Sequence, residues 1–280
     1  MVTPTFADST DGVSLALYDL GGDGPAVIFA HATGFCAETW IPVADSLENA
    51  HSWALDFRAH GRSTRPSHGG LAWEGVGADV LAAVDHLGLD QPFGVGHSMG
   101  GAALVLAEIA RPGTLSGIWM FEPTVIPPGF FPDEPGSNFL SVSAARRRPT
   151  FESMAAARSN FSGKPPMDGF DPRSLEGYLN GGFEPLPDGS VALRCAREDE
   201  SQFYLMASMH GAWDRLGEID VPTWIARGAD DGTGPATFAP QVAARIAGAT
   251  LIEHPELGHF GPMEQPGLLA AEIDRARSAV

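Results

Sequence analysis

Short apolar runs alternate with longer amphipathic stretches through the first 121 residues, and that alternation leaves few folds open. The runs fall at residues 14–18, 26–30, 52–56, 93–95 and 118–121, with helical periodicity at 38–47, 73–87 and 102–110. Apolar strands of this kind, separated by amphipathic helices, predict a mostly parallel sheet covered on both faces. The pattern returns after residue 220, with strand-like runs at 223–226 and 250–252 and helices at about 236–246 and 267–277.

Between residues 123 and 217 the alternation stops, and prolines, glycines and short helical pieces at 138–147, 151–159 and 198–209 take over. The chain therefore divides into a first part of the core (1–123), an insertion over the sheet (124–217) and a second part of the core (218–280). Eleven of the 25 aromatic residues lie between 124 and 215, among them Phe130, Phe131, Phe139, Phe161, Tyr204 and Trp213, which predicts an apolar cavity beneath the insertion. Arg146, Arg147 and Arg148 form its one basic run, read as a solvated helix face in preference to a clamp for a substrate anion.

Composition narrows the partners. A formal net charge of −18 repels nucleic acid and anionic membrane surfaces. The first 25 residues have acidic side chains at Asp8, Asp11, Asp19 and Asp23 and no leader-like apolar stretch, so a soluble, cytoplasmic protein is expected. Cys36 and Cys195 fit neither a disulfide framework nor a zinc pattern. The single lysine, Lys164, lies in no motif, and Met99 occupies the third glycine position of the near-fingerprint at Gly94 and Gly96, which argues against nucleotide cofactors. No cofactor and no metal are expected. The expected partner is a small-molecule substrate, with a homodimer left open.

The chemistry centres on Gly96-His97-Ser98-Met99-Gly100, between a strand-like and a helix-like run. A serine on such a turn exposes its hydroxyl at the helix start, and glycines two residues before and after admit the neighbouring backbone. Ser98 is the candidate nucleophile. A serine hydroxyl needs a base, and the base needs an orienting acid. His259, in Glu256-Leu257-Gly258-His259-Phe260 between the last strand and the final helix, is the candidate base. His31, His60 and His97 each follow a strand or sit in a loop beside it and are read as backbone-holding residues.

For the acid, Asp231 in Arg227-Gly228-Ala229-Asp230-Asp231-Gly232 is the first choice, at the end of the sheet where site loops gather. Asp230 is assigned to the turn. Glu122, in Phe121-Glu122-Pro123 at the end of the strand after the nucleophile helix, is the alternative acid. Two backbone N–H groups must face the developing oxyanion. Met99 supplies one, and Thr33 in His31-Ala32-Thr33-Gly34-Phe35 the other.

Together these pieces resemble the α/β-hydrolase superfamily over essentially the whole chain: the loop 31–35, Asp56-Phe57-Arg58-Ala59-His60-Gly61-Arg62-Ser63, the elbow, Gly228-Ala229-Asp230-Asp231 and Gly258-His259 follow in the same order. The resemblance implies an α/β-hydrolase fold with a mostly parallel eight-stranded sheet, helices on both faces, and a helical lid at 124–217. It assigns Ser98, His259 and Asp231 as the triad, with Thr33 and Met99 as oxyanion donors. Two departures stand out: Ala32 replaces a common glycine, and Glu122 falls where some members, including certain haloalkane dehalogenases, place their acid. A serine at the elbow favours acyl transfer to water over aspartate-nucleophile chemistry. The expected activity is hydrolysis of a carboxylic ester or lactone of a small, hydrophobic molecule. The alternatives are C–C bond hydrolysis, amide hydrolysis or perhydrolysis on the same groups, or a small-molecule receptor built on the fold.

Overall fold

The first six strands, β1 (Thr5–Asp8), β2 (Ser14–Gly21), β3 (Ala26–Ala30), β4 (His51–Leu55), β5 (Phe93–His97) and β6 (Gly117–Phe121), belong to one sheet. The structure is a computed structural model that describes residues 2–130, 138–230, 232 and 234–280. β7 (Thr150–Phe151), β8 (Phe183–Pro185) and β9 (Val191–Leu193) form a separate antiparallel sheet, and β10 (Thr223–Arg227) and β11 (Thr250–Glu253) complete the main one. Its order is β1-β2-β4-β3-β5-β6-β10-β11, with β4 to β11 parallel and β1 and β2 antiparallel at one edge.

Period-two alternation explains how the sheet is covered on both sides. Ile28 and Ala30 of β3 and Ile118 and Met120 of β6 face one core, shared with Val76, Val80, Leu104 and Val242 from helices Trp73–Leu87, Met99–Ala110 and Pro235–Ala243. Val27, Phe29, Trp119 and Phe121 face the other core, shared with Trp40, Val43, Leu269 and Ile273. The predicted doubly covered, mostly parallel sheet of eight strands is the one observed.

The helix expected over 38–47 is instead a 3₁₀ turn, Ala37–Trp40, followed by the short helix Ile41–Ala44. β1 escapes a pattern reading because only Ala7 of its four residues is buried. The segment 124–217 is not purely helical. Helices Phe139–Ala145, Met154–Ser162, Pro172–Gly182 and Arg197–Leu205 accompany the small sheet, whose strands of two or three residues are too short to show a period. Its aromatic enrichment has a different main use from the one expected. Phe151, Phe161, Tyr178 and Phe183 pack edge to face on one another, continuing the core that covers Val27, Phe29, Trp119 and Phe121. Cys36 and Cys195 are both buried and unbridged. Among the described residues no helix is long and apolar enough to cross a membrane.

Candidate active site

Ser98 directly follows β5 and opens the helix Met99–Ala110, with φ 53° and ψ −113°. Holding a non-glycine residue there costs about 1–3 kcal/mol and persists only where the surroundings over-determine it. They do so here: Ser98 N–H donates to Phe121 O (3.0 Å), and Ser98 O accepts from Ala102 N–H (3.2 Å) and Thr124 N–H (3.0 Å). The flanking glycines are required by close approach. A Cβ on Gly100 would stand 2.0 Å from Ala30 O, and one on Gly96 would stand 2.7 Å from Gly101 N. The Ser98 hydroxyl lines a cavity, and its Oγ lies 2.9 Å from Thr124 Oγ1. Met99 N–H is one of the amides at this helix start that have no partner four residues back.

The carboxylate that meets His259 is Glu122. His259 Nδ1–H donates to Glu122 Oε2 at 2.5 Å, while Glu122 Oε1 accepts from Gly228 N–H at 2.8 Å. β6 lies between β5 and β10, so the first residue past β6 is held between the elbow and the start of the loop after β10. Glu122 N–H donates to Ala226 O (2.9 Å), and the residue is buried with φ 45°, a rare conformation for glutamate. Because Nδ1 carries the donated proton, Nε2 of His259 is the basic nitrogen, and His259 lines the same cavity as Ser98. His97 Nε2–H donates to His259 O (2.8 Å), tying the elbow to the histidine loop.

Asp231 lies outside the described residues. Its neighbour Asp230 accepts from Gly232 N–H (2.9 Å) and Thr237 Oγ1–H (2.6 Å), tying the residues after β10 to the helix Pro235–Ala243.

Thr33 lines the same cavity as Ser98, and two buried histidines support its loop. His31 Nδ1–H donates to Ala32 O (2.8 Å) and its Nε2 accepts from Phe57 N–H (3.0 Å). His60 Nδ1–H donates to Arg58 O (2.9 Å) and its Nε2 accepts from Gly34 N–H (3.0 Å). Each ring must keep one nitrogen unprotonated to do this. Burial supplies the condition, holding His31 well below the usual histidine range and pushing His60 down to about 4.

The insertion grips the loop from the other side. Arg146 and Arg148 are exposed as expected, but Arg147 turns inward to Glu200 and the Tyr178 hydroxyl. Burial works against its charge, yet Tyr178 and Glu200 outweigh burial and keep the guanidinium protonated. Glu200 Oε1 would stand 2.6 Å from a Cβ on Gly34, whose φ is 78°. Gly34→Ala is therefore expected to destabilise by about 1–2 kcal/mol from backbone strain alone, lowering the melting temperature by about 2–8 °C. It should also lower turnover through Thr33, and thermal melts with parallel rate measurements check both effects.

The cavity encloses about 270 Å³. Trp73, Ile126, Phe139, Leu140, Tyr204 and Phe260 form apolar walls around Ser98, His259, Thr33 and Thr124, and among the described residues Phe139 and Tyr204 are the insertion aromatics that reach it. Among the described lining residues none is Lys, Arg, Asp or Glu. Residues 131–137, 231 and 233 contain no basic side chain either.

Thr124 carries no sequence motif and was not singled out by pattern. Its position follows from β6 pairing with β5, which brings the residues after Phe121 back across the elbow. His210 was likewise unmarked. It stacks on Trp73 (4.8 Å, 17°) and donates Nε2–H to Thr124 O (2.9 Å).

Comparison with known proteins agrees with this architecture. The chain is 27% identical over 276 residues to a non-heme chloroperoxidase of Streptomyces lividans, covering 95% of this chain and 96% of that one. It is 25% identical over 279 residues to a bifunctional esterase/perhydrolase of Acinetobacter calcoaceticus, covering 92% and 93%. The peroxisomal alpha-beta-hydrolase Lpx1 of Saccharomyces cerevisiae superposes with a TM-score of 0.80 at 16% identity, over 95% of this chain and 82% of that one. A model of the alpha/beta hydrolase family matches residues 27–272, and with that match over most of its length the chain belongs to the alpha/beta hydrolase family of hydrolytic enzymes.

Proposed function

We propose that the protein is a serine hydrolase that cleaves the carboxylic ester or lactone of a small, neutral, largely apolar molecule through Ser98, His259 and Glu122. The observation that carries this reading is the His259–Glu122 pair, which commits Nδ1–H to a buried carboxylate and leaves Nε2 basic in a cavity shared with Ser98. In the first step Ser98 Oγ attacks the carbonyl carbon as its proton passes to Nε2. The carbonyl oxygen becomes negative between Met99 N–H and Thr33 N–H. His259 returns the proton to the departing alkoxide, leaving an acyl group on Ser98. Water then attacks that acyl group with His259 as base, and Glu122 stabilises the imidazolium in both halves.

The lining supports the neutral substrate. An anion buried without a cationic partner loses its hydration uncompensated, and the described lining supplies no Lys or Arg. Short-chain esters and lactones are expected to show kcat/KM at least about 100-fold above matched substrates bearing a terminal carboxylate, since one unpaired charged group costs well over 2 kcal/mol. A panel of esters, lactones, amides and β-diketones, with and without that carboxylate, checks it. Preference for the β-diketone members would replace the ester reading with C–C bond hydrolysis, and preference for the carboxylate-bearing esters would overturn the neutral substrate. Stoichiometric binding without turnover would indicate a receptor.

A second reading, perhydrolysis, is favoured by the full-length likeness to an esterase/perhydrolase. Hydrogen peroxide would replace water at the acyl enzyme and release a peracid, which running the panel with peroxide detects.

A further inference from the structure

The nucleophile oxygen has a polar neighbour that neither the triad nor the oxyanion pair includes. Thr124 grips Ser98 twice: its N–H donates to Ser98 O (3.0 Å), and its Oγ1 lies 2.9 Å from Ser98 Oγ. The rest of Thr124 is fixed. Its carbonyl accepts from His210, whose ring stacks on Trp73, and Trp73 Nε1–H is anchored on Phe203 O (3.1 Å). β-Branching restricts its one side-chain torsion. The hydroxyl is thus presented to Ser98 Oγ by a held backbone at the wall of the cavity.

The contact itself admits either oxygen as donor, and the proposed proton transfer selects one. His259 Nδ1–H is committed to Glu122, which leaves Nε2 as the nitrogen that takes the Ser98 proton in that reaction. A serine oxygen that gives its hydrogen to Nε2 has only lone pairs to offer Thr124, and Thr124 must then be the donor. We propose that Thr124 is a further catalytic residue, whose hydroxyl donates a hydrogen bond to Ser98 Oγ and stabilises the negative charge that this atom carries in both halves of the reaction. This inference rests on Ser98 being the nucleophile. During acylation, charge builds on Oγ as its proton moves to Nε2 and the Oγ–carbon bond forms. During deacylation the Oγ–carbon bond breaks, its electron pair returns to Oγ, and the proton comes back from Nε2. The Thr33 and Met99 amides face the carbonyl oxygen, a different atom.

The test compares fluorophosphonate labelling rates of wild type, Thr124→Val, Thr124→Ala and Thr124→Ser across pH, with peptide mapping and thermal melts. Val keeps the shape and removes the hydroxyl, and Ala removes it with less crowding should Val fail to fold. Loss of one hydrogen bond to a charged atom predicts labelling about 10-fold to 100-fold slower in Val and Ala. The midpoint of the pH profile should not move, because His259 and Glu122 are untouched, and Ser should label within about threefold of wild type. Val or Ala labelling as fast as wild type, or faster, would overturn the proposal, and faster labelling would mean that Thr124 accepts from Ser98. Equal slowing in Val, Ala and Ser would also overturn it, placing the effect in packing of the methyl group. Wild type that is folded but unlabelled at Ser98 would instead overturn the nucleophile assignment beneath it.

Discussion

Glu122→Gln is expected to reduce turnover by about 10⁴-fold, the loss typical when a triad acid becomes an amide, with only a small change in melting temperature. The size follows from what its two oxygens do. Oε1 accepts from Gly228 N–H and Oε2 accepts from His259 Nδ1–H, so both positions require an acceptor. An amide has one acceptor and one donor. If its oxygen stays on Gly228, its NH₂ group faces Nδ1 and drives the ring to the tautomer protonated at Nε2, where the base must be free. If the amide reverses, the base keeps its tautomer but loses the negative charge that stabilises the imidazolium, and Gly228 N–H faces another donor. Asp231→Asn is expected to stay within about 10-fold of wild type, because Glu122 already supplies the carboxylate that His259 Nδ1–H meets. Turnover measured for both variants beside their melts decides the matter. A larger loss from Asp231→Asn would place the acid in the loop after β10 and leave Glu122 a structural carboxylate.

That comparison also shows where a linear reading stops. Strand positions were legible because β3 and β6 are buried on both faces and read as apolar runs, and the helix over 73–87 was legible because it carries one apolar stripe. The helix Pro172–Gly182 was not, because Gly177, Gly181 and Gly182 interrupt its pattern. Gly177 is there for contact: a Cβ would stand 2.1 Å from Glu38 O, where the helix meets the backbone of the loop after β3. Ser98 and His259 announce themselves through local chemistry, glycines around a serine and a histidine in a late loop. Which acid meets the histidine is a question of sheet order. The sequence shows Glu122 following a strand, but not that this strand lies between β5 and β10, which brings the carboxylate to Gly228 and His259. Arg147 shows the converse limit. A run of three arginines reads as a wet surface, and only the fold reveals that the middle one points inward to Glu200 behind Gly34.

Ser98→Ala is expected to abolish stoichiometric fluorophosphonate labelling and to lower turnover by about 10⁶-fold, the scale seen when a triad nucleophile is removed. Peptide mapping of a single label to Ser98 in wild type, with none in the variant, checks the assignment. Persistence of the label would move the nucleophile elsewhere. The position carries a second expectation, because function and stability oppose each other there. Alanine removes the hydroxyl but keeps a side chain at φ 53°, so the backbone strain remains. Glycine removes both. Relief of strain worth about 1–3 kcal/mol, less the extra freedom glycine gives the unfolded chain at about 0.5–1 kcal/mol, should leave Ser98→Gly more stable than Ser98→Ala. For a domain of this size the difference corresponds to a melting temperature higher by about 2–4 °C per kcal/mol. Both variants should be equally inactive, so the melting difference isolates what the fold spends to hold a serine on this turn. If Ser98→Gly melts at or below Ser98→Ala, the elbow is not strained and the tight packing at Gly96 and Gly100 alone shapes it.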